Sequence, residues 1–121
     1  MDTRNMFAEL IKAAEEVKAD LTQQAKEIDG GFFLPQVLGS VHESATTLIL
    51  STMIDMGGHQ TKEQLACAID LAGGDFLPYS GARFEQAISG EFVPTDPIEI
   101  MVINYIISMR ARLDKIWESM T

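Results

Sequence analysis

A chain of 121 residues has room for one domain with a core of its own, and 46% hydrophobic residues at a mean hydropathy of +0.06 exclude a disordered acidic tail. Eighteen acidic residues against nine basic ones give a formal charge of −9, the wrong sign for a surface that must neutralise several phosphates. The single cysteine, Cys67, excludes an internal disulfide and a cysteine-based zinc site.

Residues 5–28 predict a long amphipathic helix. Phe7, Leu10, Ala14, Val17, Leu21 and Ile28 keep 3–4 spacing with only Gln24 interrupting, a narrow seam expected to pair first with the matching stripe Val102, Ile106, Met109, Leu113, Ile116 and Met120 of the last helix, and next with a second copy of the chain. Asp29-Gly30-Gly31 is expected to stop it, since glycine adopts the left-handed helix-end conformation cheaply. Phe32-Phe33-Leu34-Pro35 follows. Ser40-Val41-His42-Glu43 has the capping-box pattern, so a second helix is expected from Ser40, after a turn begun at Pro35. Its apolar face is Leu38, Val41, Ala45, Leu48, Ile49, Met53 and Met56, and Gly57-Gly58 ends it.

Thr61-Lys62-Glu63-Gln64 is another capping box and starts a third helix with Leu65, Ala68, Ile69 and Ala72 inward and Gly73-Gly74 as its stop. Cys67, among these, reads as a small buried hydrophobe. A loop through Asp75-Phe76-Leu77-Pro78-Tyr79 leads to a short fourth helix, Ser80 to Ser89, with Phe84, Ala87 and Ile88 inward. The last helix opens at Thr95-Asp96-Pro97-Ile98-Glu99, with an acidic cap and proline in the first turn. From Ile98 to Met109 only Glu99, Asn104 and Ser108 are clearly polar, so this helix needs neighbours on more than one face. Beyond it, Leu113, Ile116 and Met120 continue a single stripe. Sustained period-two alternation is missing from the whole sequence. The expected fold is an all-α, single-domain bundle of about five helices over residues 1–121, with a central, largely buried C-terminal helix.

Gly30-Gly31-Phe32-Phe33-Leu34-Pro35 and Gly73-Gly74-Asp75-Phe76-Leu77-Pro78 match at five of six positions, 43 residues apart. Each is expected to end a helix by its glycines and to delay the next by its proline. A turn solution used twice explains two copies more simply than a duplication does. Large side chains on loops are the usual anchors of interfaces, which makes Phe32, Phe33, Phe76, Leu77 and Tyr79 the candidate partner-binding residues. For Phe33 and Phe76 the preferred expectation is a staple packed beside each helix end.

Motifs for chemistry are lacking. His42, Glu43, Asp55, His59 and Glu63 have no spacing that metal chemistry recognises. The sequence holds no phosphate-binding glycine loop, no nucleophile elbow and no cofactor motif. Residues 61–90 have the outline of a helix-turn-helix, but from Glu63 to Met109 seven acids face a single base, Arg83. The sequence therefore predicts no enzyme, cofactor or metal. It predicts a small acidic helical regulator or inhibitor that binds another protein stoichiometrically. In its sharper form it presents an acidic surface to a basic nucleic-acid-binding partner. A homodimer is expected. The alternative is a transcriptional regulator that binds DNA through residues 61–90, and a third reading is a metal-assisted hydrolase around His42 or His59. The start of the chain lacks a signal-peptide pattern, and its apolar runs are too short for a bilayer, so a cytoplasmic location is expected.

Overall fold

The C-terminal helix α5 (Pro97–Met120) packs against α1 (Thr3–Asp29), α2 (Phe33–Asp55), α3 (Lys62–Gly74) and α4 (Gly81–Ser89) in a computed structural model that describes residues 3–29, 33–79 and 81–120. These five helices are all the regular structure among the described residues. The fold is the all-α bundle that the apolar periodicity predicts. Met101, Val102, Ile103, Tyr105 and Ile106 are all buried, so the first half of α5 is enclosed on several sides. Farther along, Met109 and Leu113 stay in the core, while Ile116 and Met120 pack against it half-buried. Each fully buried Leu, Ile or Met contributes roughly 1.5–3 kcal/mol over its exposed state.

The stripe on α1 that the core covers is Met6, Leu10, Ala14, Val17, Leu21 and Ala25. Phe7 is half-buried and Ile28 is 56% exposed, so the expected seam fits in its middle and fails at its far end. Phe7 to Ile28 spans three heptads, and a straight helix drifts about 20° per heptad from a 3.5 repeat. By Ile28 that drift has carried the seam off the core, and Ala25 takes its place. The α1 stripe is covered within the chain by α2 and α5.

Capping signals explain three of the helix ends. The Thr61 hydroxyl accepts from the Gln64 amide at 3.1 Å, and the Gln64 side chain accepts from the Thr61 amide at 2.8 Å. The Asp96 carboxylate accepts from the Ile98 amide at 2.8 Å, capping α5. Gly57, at φ +55°, ends α2: Gly58 donates to the Met53 carbonyl and Gly57 to that of Ile54, a Schellman closure.

Three local expectations are corrected. α2 begins at Phe33, not Ser40, because Pro35 stands in the first turn, where its missing amide has no partner to lose. Gly73 is a buried helical residue of α3, not a stop: a Cβ there would lie 2.1 Å from Cδ1 of Ile106. Cys67 is exposed, because a position two residues from both Leu65 and Ile69 lies about 200° round the helix from each. Residues 30–32 and 80 lie outside the described residues, and with them the Gly30-Gly31 stop and Phe32.

Candidate partner-binding surface

The second Phe-Leu-Pro segment bridges α3 and α4 as a non-helical turn, whereas the first opens a helix. The same letters give different backbones because Phe33-Leu34-Pro35 runs on into helix-forming residues, and Pro78 is followed by Tyr79 and by Gly81 at φ +58°. The burial also inverts. Leu34 is in the core and Phe33 is 59% exposed, so Phe33 is not a core staple. Phe76 and Leu77 are both half-buried against the core, as a staple reading of Phe76 requires.

Tyr79 holds this loop in place. Its hydroxyl donates to the Glu99 carboxylate at 2.7 Å, and its ring meets Phe92 edge-on at 5.5 Å. The Arg83 guanidinium lies 4.0 Å from the centre of the Phe92 ring on α4's side. Burial first, and then the bond to Glu99 and the negative field of Glu99 and Asp96, push the Tyr79 phenol up to about 12. The four side chains thus tie the 75–79 loop, α4 and the loop after it to the start of α5.

Between α3 and α4 lies an open groove of about 340 Å³, lined by Cys67, Asp70, Leu71, Asp75, Tyr79 and Phe84 among others. Leu71 is 56% exposed on its wall. Asp70 accepts two hydrogen bonds from Arg110 of α5, at 2.8 and 2.5 Å, and Glu85 of α4 lies 3.7 Å from the same guanidinium. Such a bidentate pair fixes both side chains, and the bond to Asp70 holds the guanidinium proton more tightly than usual. Asp75, by contrast, has no ion pair or side-chain hydrogen bond among the described residues. The groove thus sets an apolar wall, a phenol and an unpaired carboxylate side by side.

One buried polar cluster escaped the sequence reading. His42 Nδ1 lies 3.1 Å from the Tyr105 hydroxyl, and Nε2 lies 3.0 Å from the Glu15 carboxylate, joining α1, α2 and α5. With the Tyr105 O–H donating to Nδ1 and Nε2–H donating to Glu15, both contacts are satisfied. Burial, and then the charge of Glu15, hold the Tyr105 phenol well above the ordinary tyrosine value. The usable signal was the spacing: His42 stands four residues after Leu38 and three before Ala45, inside the α2 stripe. His59 sits exposed in the α2–α3 turn. No group of three or more His, Cys, Asp or Glu side chains among the described residues is arranged to hold a metal ion.

The fold defines the chain as an all-α bundle. No family model, curated protein or solved structure matches it.

Proposed function

We propose that this chain is a small, non-enzymatic helical regulator that acts by stoichiometric binding to another protein through the face built by α3, the 75–79 loop and α4. The observation that carries it is the groove at Leu71, a large apolar side chain left 56% exposed in a concave surface whose rim is held by the Tyr79 and Asp70–Arg110 contacts. A rigid apolar anchor point with a polar rim is how interfaces are built. Of the aromatic-loop candidates, Tyr79 lines this groove, while Phe76 and Leu77 pack half-buried against the core. Phe33 belongs to a separate surface with Ile28 at the far ends of α1 and α2. A homodimer, if formed, has that second surface open to it, because the α1 seam is already covered. Arg83, stacked on Phe92, is the one base on α4, too few for the several phosphate contacts that the DNA-binding alternative calls for.

The test is capture from host lysate by three versions of the protein, wild type, Leu71→Glu and Leu50→Glu. Leu50 is the control, 43% exposed on the outer face of α2. A partner held by wild type and Leu50→Glu and lost by Leu71→Glu supports the reading. A partner held equally by all three would sink it.

A further inference from the structure

The α3–α4 groove carries a charge asymmetry that says what kind of chain it suits. Seven acids lie between Glu63 and Met109 with Arg83 as the only base. Arg83 is stacked on Phe92, and Arg110, the next base along, is taken up by Asp70 and Glu85. None of the residues lining the groove is a cation that could balance Asp75. That carboxylate stands at the C-cap of α3, the end of a helix where the dipole disfavours an anion. It gains no ion pair there among the described residues. Helix stability does not account for an acid in that place. An apolar wall beside an unanswered carboxylate is complementary to a side-chain pair of opposite kind, one apolar and one cationic.

Resting on the protein-binding reading above, we propose that the groove's occupant is a basic amphipathic segment of a partner protein, with an apolar side chain seated against Leu71 and Phe84 and a lysine or arginine paired with Asp75. The attraction is partly solvent-exposed, so it weakens as the Debye length shortens from about 14 Å at 50 mM salt to about 4 Å at 500 mM. The apolar contact changes little over that range.

The experiment titrates the folded, full-length chain with synthetic peptides and maps the contact by amide chemical shifts. The probes are an amphipathic leucine–lysine peptide, its leucine–glutamate counterpart, and a serine–lysine peptide of equal charge. The expected result is that only the leucine–lysine peptide binds, with shifts centred on residues 67–84. Its Kd should rise about five- to tenfold in Asp75→Lys and at least about tenfold in Leu71→Ser. Asp20→Lys, on the exposed side of α1, should leave it within about twofold. Adding salt should weaken binding to wild type far more than to Asp75→Lys. Equal binding of the lysine and glutamate peptides, equal losses in Asp75→Lys and Asp20→Lys, or shifts centred on Ile28 and Phe33 would each overturn the proposal. A lysate partner lost with Leu71→Glu but retained with Asp75→Lys would overturn the basic occupant while leaving the protein-binding reading intact.

Discussion

Gly73 and Gly74 are neighbours at the end of α3 and meet opposite demands. A Cβ on Gly73 would collide with Cδ1 and Cγ1 of the Ile106 side chain, whereas one on Gly74 would have open space for 4 Å. Gly73→Ala is therefore expected to cost about 1–3 kcal/mol by overpacking, even though alanine is the better helix former. Gly74→Ala should be neutral or stabilising by up to about 1 kcal/mol. Urea unfolding of the two variants checks both, and Ile106→Val should recover part of the Gly73→Ala loss, because it removes the nearest carbon. A neutral Gly73→Ala would mean that α3 and α5 can separate at little cost. The buried histidine gives a second contrast. Tyr105→Phe strips the donor from His42 Nδ1 inside the core and should cost about 1–3 kcal/mol by urea unfolding. Glu15→Gln should cost less than about 1 kcal/mol, because the Glu15 side chain is 61% exposed and water can replace it. Neither site could be read with assurance from single letters. The Gly73 contact pairs residues 33 positions apart, and the Tyr105–His42 bond spans 63.

Helices with a clear start signal were legible as elements. Thr61 with Gln64 and Asp96 before Pro97 satisfy orphan amides by short-range geometry, which sequence spacing encodes directly. The start of α2 was not legible in the same way, because Ser40 and Glu43 satisfy a capping pattern that the helix already forming from Phe33 overrides. α4 is the weakest element. It has nine residues, buries only Ala87 fully, and packs chiefly on α5. Much of its anchorage is the Tyr79, Phe92, Arg83 and Glu99 contact set. Its amides should exchange with solvent well before those of α1 and α5, and Phe92→Ala should speed exchange in α4 while leaving α5 unchanged. The Tyr79 phenol links this anchorage to pH. A folded-state value of about 12, above the ordinary 10, means the folded chain holds the proton more tightly. The resulting stability is fully present below pH 10 and is lost as pH rises towards 12. Unfolding midpoints measured across that window should fall less steeply in Tyr79→Phe than in wild type. Tyr105, raised in the same direction, keeps the slope from vanishing.

At the scale of the whole molecule, the arrangement of charge decides how two possible kinds of association respond to salt. The central position of α5 was legible because a helix apolar on nearly every side has nowhere else to go. The fate of the α1 seam was not, because a stripe of that width pairs equally well within a chain or between chains, and only the packed bundle shows α2 and α5 covering it. With the seam occupied, self-association must use smaller surfaces, such as the Ile28–Phe33 end, where both side chains are more than half exposed. Two copies meeting there each bring a net charge of −9, so electrostatics opposes the dimer and screening relieves that opposition. A basic segment in the α3–α4 groove is held by the opposite sign, so screening loosens it. Raising salt from about 50 to about 500 mM should therefore increase any dimer fraction seen by analytical ultracentrifugation, and Phe33→Asp should remove it. The same change should weaken the leucine–lysine peptide. A dimer that dissociates with added salt would place its interface on paired charges, and the Ile28–Phe33 end could not be the surface that forms it.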